Sequence, residues 1–402
     1  MTQAPLTRAV GQGISWSAPR RGRIPDSVAD VFASLDWDCR DADPAFNLHP
    51  YPARFVLQLP RLALDVLKPA LGVIDPFCGS GTTLEASAMA GLPSSGIDLN
   101  PIACLISRVR VSPWRPEDDD CADSHARGLV EAASNVSDRV LAEFGSTIPR
   151  VDHWFEPWAQ RLLAGATDYL NRIDRDDAWH DRVALSISST VVRISRQDSD
   201  TRYAAVDKGL GESDGLGLLS AAVMKTSTFL RSRPLERTEN AVVLNRDARD
   251  LSPIADGSHD AAIFSPPYPN AYEYWLYHKY RMYWLKYDPI AVREDEIGAR
   301  PHFFRASNPH TELDFAEQMR DVFVGLSRVL RSTSPVVIVV GDSVIHGRVI
   351  DNRELLFDAA SACGFVPRAA ALRTIRRSRS SFNMAHGQGR NVEHVLLLES
   401  PS

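Results

Sequence analysis

Apolar and polar positions alternate along the chain in two rhythms. Short apolar runs of strand length are separated by longer stretches of helical period. Buried-strand runs end at Asp75 and span Ser94–Leu99, Ala241–Leu244, Asp260–Phe264 and Pro335–Val340, the last being the most continuously apolar. Two later runs, Arg368–Ile375 and Glu393–Leu398, read as an antiparallel pair. Helical patterns fall at Asp26–Leu35, at about Pro60–Leu67, from Leu84 onward, and at Asp314–Leu330 and Arg353–Cys363. An aromatic-rich helix covers Tyr272–Trp284, where such a stripe is more often core than a base-stacking platform; only Tyr272 is placed near a substrate. Strands alternating with helices imply an α/β fold: a mostly parallel sheet with right-handed crossovers and ligands at the carboxyl ends of the strands.

The alternation is interrupted over 103–240. That stretch carries helical patterns at Asp123–Phe144, Trp158–Ile173 and Asp181–Ile194, which predict a helical insertion between the second and third strands. The acidic run Glu117–Asp123 reads as a solvated loop, and the Gly/Ser-rich Gly209–Ser220 as the end of the helical region. Residues 288–312 read as a loop, with His302 and His310 as packing or solvent residues.

Composition adds bounds. The chain has 402 residues, 44% hydrophobic and 24% charged, as in ordinary globular proteins. No apolar run reaches bilayer length, and the first residues lack a secretory pattern. The five cysteines are scattered without a C-x-x-C pair, which predicts a reducing cytoplasm and neither disulfides nor a zinc site; no metal is expected. A net charge of −6 argues mildly against nucleic acid, but a basic cleft can sit on an acidic body. The densest positive charge lies between the last two strands: Arg376, Arg377, Arg379 and Arg390, among small residues and Phe382.

Two stretches carry chemistry. In the first, Gly72–Thr83, an apolar strand ends in Asp75 and breaks at Gly79 and Gly81 into a helix. Leu84 stands where a dinucleotide site has its third glycine, and no Lys follows as in a P-loop, so phosphates are poorly served. An acidic residue before Phe-x-Gly-x-Gly suits a ligand carrying an amine and a sulfonium. Asp98 falls about twenty residues past the turn, the spacing of a ribose-binding carboxylate. In the second, Asp260–Phe264 stops at Ser265-Pro266-Pro267-Tyr268, where two prolines hold an extended turn with free carbonyls.

The first stretch, Asp75-Pro76-Phe77-Cys78-Gly79-Ser80-Gly81-Thr82-Thr83, resembles the cofactor motif of the S-adenosylmethionine-dependent methyltransferases that modify exocyclic amino groups of DNA bases. The second is similar to their Asp/Asn/Ser-Pro-Pro-Tyr/Phe/Trp motif. The resemblance covers roughly 46–104 and 241–398 and implies a Rossmann-like class I methyltransferase core. With the chain's pattern it divides the sequence into a lead-in over 1–45, a cofactor-binding half over 46–104, a helical insertion over 105–240 that either grips the substrate or covers one sheet face, and a catalytic half over 241–402. Cofactor contacts are expected from Asp75, Phe77, Gly79, Gly81, Thr82, Thr83, Asp98, Asn100 and Asp247, the last toward the adenine amine. The segment Phe46–Phe55 resembles the stretch that holds the methionine end, through Tyr51, Pro52 and Ala53. Ser265 Oγ and the Pro266 carbonyl would accept the two amine hydrogens, Pro267 would fix the turn, and Tyr268 would stack on a flipped base. The basic hairpin arginines would contact DNA phosphates.

The serine of Ser265-Pro-Pro-Tyr favours cytosine N4 over adenine N6, since adenine enzymes more often carry Asp there. Cytosine C5 is disfavoured because no Pro-Cys pair occurs. Double-stranded DNA is the expected partner, with a cognate restriction endonuclease or defence system as a companion. Methylation of an RNA base amine or a protein glutamine, or non-catalytic nucleic-acid binding, are the competing readings.

Overall fold

The computed structural model describes residues 7–8, 13–15, 24–38, 48–52, 56–145, 147–200, 202–233, 235, 240–270, 273–307, 309–374 and 392–402. Seven strands make the body of one sheet: β1 Val73–Asp75, β2 Ser94–Asp98, β3 Ala241–Asn245, β4 Ala261–Phe264, β5 Pro335–Gly341, β6 Val366–Thr374 and β7 Val392–Glu399. They lie in the order 3-2-1-4-5-7-6. The first five run parallel, and β7 enters antiparallel between β5 and β6. A short strand, Gly13–Ser15, extends the edge at β6. This is the doubly wound order of the class I methyltransferase fold; the mostly parallel sheet and the antiparallel late pair are as the pattern predicts.

The apolar continuity of β5 follows from burial on both faces. Successive side chains point to opposite sides. Val336, Ile338 and Val340 pack with α14 (Glu312–Val329) and α15 (Asn352–Ala362), while Val337 and Val339 join α1 (Asp26–Ser34) and α2 (Gln58–Leu67). Between β1 and β2 runs α3 (Thr82–Met89), and α4 (Pro101–Arg110) follows β2. Asn100 caps α4 by accepting from the Ile102 N–H at 2.9 Å, with Pro101 in the first turn.

The insertion is α5 (Asp118–Ser134), α6 (Asp138–Gly145), α7 (Val151–Trp154), α8 (Pro157–Leu170), α9 (Ala178–Ile194), a small hairpin and α10 (Glu212–Arg231). Three expectations are corrected here. The pattern over Asp123–Phe144 is two helices, broken at 135–137, where the Ser137 hydroxyl accepts from Val140 N–H at the start of α6. The acidic run is the first turn of α5, where carboxylates favour the helix N-terminus: Asp118 pairs with buried Arg182 at 2.6 Å and Asp119 with Arg231 at 2.9 Å. The Gly/Ser-rich stretch is largely the start of α10, because Gly215 lies against Trp158, and a Cβ there would stand 2.6 Å from the indole. The basic residues after α9 are partly spent on structure: Arg196 pairs with Glu156, and Lys208 Nζ donates to the Val192 carbonyl.

The aromatic helix is α11 (Tyr274–Trp284), and Trp275, Tyr280 and Trp284 are buried in the same apolar cluster as the insertion helices. The segment read as a loop holds α12 (Pro289–Asp295) and α13 (Arg300–Phe303), with Asp288 capping α12 and His302 buried. Among the described residues no helix is long and apolar enough to cross a membrane.

Candidate functional site

At the switch point between β1 and β4, the carboxyl ends of the strands open into a cleft. The turn after β1 forms its floor. Asp75 is buried and accepts from the Phe77 N–H at 2.9 Å, and Phe77 tilts against Phe264. Gly79 and Gly81 both take positive φ, +51° and +82°, a region open to glycine at little cost. A Cβ on Gly79 would meet the Tyr51 hydroxyl at 3.3 Å, and one on Gly81 would stand 2.9 Å from the Ser107 backbone. The second acidic residue is tied to this turn: Asp98 accepts from Gly79 N–H at 2.9 Å and from Asn100 N–H at 2.8 Å.

Phe77, Gly79, Thr82, Asp98, Asn100, Asp247, Ser265 and Pro267 line the cleft with Asp75 and Tyr51. Thr83 does not: its hydroxyl reaches back to the Ile263 carbonyl at 3.2 Å, so it fastens α3 to β4. Gly81, Pro52 and Pro266 also lie outside the lining, Gly81 as the turn's hinge and Pro266 buried behind the loop. Tyr268 is not in the lining: its hydroxyl donates to Glu393 at 2.8 Å and lies beside the Ser265 side chain, and its ring packs against Gly341. Asp247 holds Arg249 through both oxygens, at 2.9 and 3.0 Å from Nε. Ala53, Tyr272 and the arginines 376, 377, 379 and 390 lie outside the described residues.

Residues that carried no motif complete the wall. Glu296 caps α11 by accepting from Tyr274 N–H at 2.8 Å and Trp275 N–H at 3.1 Å. Tyr274 stacks on Tyr51 with centroids 5.8 Å apart, and Tyr51 stacks in turn on buried His278 at 5.4 Å. Glu296 sits in the stretch read as a loop; the one local cue was the Asp288-Pro289 helix start beside it.

The cleft is electrostatically one-sided. Its lining holds Asp75, Asp98, Asp247, Asp295 and Glu296, and no Lys, Arg or His among the described residues. Burial raises Asp75 to about 7, Asp98 to about 6 and Glu296 to about 8, because desolvation penalises each charged form. Backbone N–H donors offset part of each shift. Such a cleft repels phosphate and attracts cations. Burial also pushes the Cys78 thiol up, so it is a poor nucleophile.

The strand order and this motif-lined crevice are those of the S-adenosylmethionine-dependent class I methyltransferase fold. The chain is similar, over 92 residues at 36% identity, to the type II methyltransferase M.MjaII of Methanocaldococcus jannaschii, covering 20% of this chain and 17% of that protein. It is 35% identical over 141 residues to the type II methyltransferase M.MvaI of Kocuria varians, covering 32% of this chain and 30% of that protein. The chain thus spans less than a third of the length of these curated relatives. TrmN from Thermus thermophilus, among the solved structures, aligns over 89% of this chain and 52% of its own at 12% identity and a TM-score of 0.33. No protein-family profile matches.

Proposed function

We propose that the protein transfers a methyl group from S-adenosylmethionine to the exocyclic amine of a base in DNA, cytosine N4 ahead of adenine N6. One observation carries this reading: a cleft with five carboxylates and, among the described residues, no cation in its lining opens directly onto Ser265 and Pro267. A ligand bearing an ammonium and a sulfonium fits that charge, whereas a dinucleotide or nucleoside triphosphate does not. The cofactor would supply an electrophilic methyl group. Asp75 and the glycine turn would hold its methionine end with Tyr51, and Asp98 would accept from the ribose hydroxyls with the lone pairs its two backbone contacts leave free. Asp247, already shared with Arg249, would face the adenine.

The exocyclic amine is a weak nucleophile because its lone pair is delocalised into the ring. Acceptance of its hydrogens by Ser265 Oγ and the Pro266 carbonyl would draw the nitrogen toward tetrahedral geometry. Tyr268, anchored through Glu393, would hold the loop in place. The insertion packs on α11, which leaves this loop, and that packing supports reading residues 105–240 as a substrate-gripping subdomain. Duplex DNA is the proposed partner. A cognate restriction endonuclease is suggested by the type II designation of the two relatives.

The test is incubation of the protein with cofactor and unmethylated DNA, then nucleoside digestion and mass spectrometry. N4-methylcytosine establishes the reading, and N6-methyladenine corrects the base. Methylated nucleosides from RNA alone would overturn the choice of substrate.

A further inference from the structure

The molecule carries a net charge of −6 and the cleft is acidic, yet cations crowd together just outside it. Trp275, in the first turn of α11, has Lys279 Nζ 5.9 Å and the Arg293 guanidinium 5.6 Å from its ring centroid. Lys279 also lies 5.5 Å from the Tyr280 ring, whose hydroxyl reaches the Pro149 carbonyl and so brings Arg150 alongside. At the other end Arg300 lies 5.3 Å over Phe304, a half-exposed ring tilted against His346. Arg293 and Arg305 share Glu294 and Arg300 faces the half-buried Glu273, whereas Arg150 and Lys279 have no ion-pair partner among the described residues. Half-burial and the nearby Arg293 and Arg150 together hold the Lys279 pKa below its ordinary value. Lys279 lies in the field of Arg150 and Arg293, of these three Arg293 alone is paired with Glu294, and such crowding of like charge raises the energy of the free protein. An anion laid across them would relieve that cost.

The position matters. Lys279 is five residues along α11 from cleft-lining Tyr274, about 8 Å along the helix axis, and Arg293 lies between cleft-lining Val292 and Asp295. We propose that Arg150, Lys279, Arg293 and Arg300 form a phosphate-binding ridge for the DNA backbone beside the target base, with Trp275 and Tyr280 as rigid supports for the cations. The proposal rests on the DNA reading above. It assigns substrate grip to the joint between insertion and α11–α13. Binding is sequence-independent at this ridge, since backbone contacts position a duplex without reading it.

The experiment compares the full-length protein with a triple variant, Arg150→Gln, Lys279→Gln and Arg300→Gln, chosen to leave the Trp275–Arg293 contact in place. Affinity for a fluorescent duplex of mixed sequence is measured by anisotropy across a salt series, and cofactor affinity by calorimetry. The expected result is a loss of at least about tenfold in duplex affinity and a fall of about 3 in the slope of log K against log salt. Cofactor affinity stays unchanged, and the circular-dichroism melting temperature does not fall, since the variant loses repulsion and no core packing. A wild-type protein that binds duplex and a variant with the same affinity and slope would overturn the ridge while leaving the methylation reading intact. A wild-type protein that neither binds nor methylates DNA would take both down.

Discussion

The Asp98 carboxylate joins two parts of the site that are distant in the chain, accepting from Gly79 on the β1 turn and from Asn100 at the head of α4. Each charge-assisted bond contributes about 1.5–3 kcal/mol. Asp98→Ala therefore weakens cofactor binding by tenfold or more by calorimetry, since the turn loses its tether along with the proposed ribose acceptor. Ser265→Ala should behave differently: methylation falls about 100-fold, the size expected for losing one positioned acceptor, while cofactor affinity holds. Unchanged turnover in that variant would remove Ser265 from the reaction. Asp75, Asp98 and Glu296 also couple the site to pH. Their folded-state values are raised to about 7, 6 and 8, so the folded protein keeps protons that the unfolded chain releases near pH 4. Their contribution to the free protein's stability is complete below that range and is lost as pH climbs through 6 to 8. A cationic ligand favours the ionised forms and offsets the loss. The rise in melting temperature on adding cofactor should thus be larger at pH 8.5 than at pH 6; an equal rise at both would mean these carboxyls do not face its charge.

At the scale of elements, helix crossings are set by small residues. Gly165 in α8 lies so close to α5 that a Cβ would collide with the Ala132 carbonyl and stand 2.8 Å from the Ala133 Cα. Gly165→Val should destabilise the protein by about 1–3 kcal/mol through overpacking, read as a lower urea midpoint; an unchanged midpoint would mean the helices part freely. Gly215 does the same for α10 against Trp158, and this explains why that helix was misread. Local composition marks glycine as a breaker, but here the missing side chain serves a neighbour that only the fold supplies. The acidic start of α5 misled similarly: four acids in a row look solvated until Arg182 and Arg231 arrive from α9 and α10.

Across the whole molecule, one buried ion cluster fastens the insertion to the sheet. Glu85 of α3, only 2% exposed, pairs with Arg110 of α4 at 2.9 Å and with Arg233 just beyond α10. Glu85→Gln removes the buried carboxylate that Arg110 and Arg233 share, a loss of about 3–5 kcal/mol for a broken buried pair. The expected result is a large drop in the urea midpoint and faster proteolysis of the insertion; wild-type values for both would show the cluster to be dispensable. The strands, their parallel order, the glycine turn and the Ser-Pro-Pro-Tyr loop were legible in the sequence alone. Each is governed by local rules: two-sided burial makes a run continuously apolar, and positive φ calls for glycine. Tertiary structure alone decided which side chains converge. Glu296 reaches the cleft, Tyr51 closes over Gly79, and Tyr268 turns to Glu393 because packing joins segments that no local period relates. The cations of α11–α13 become a ridge for the same reason: only after the insertion docks do Arg150 and Lys279 become neighbours.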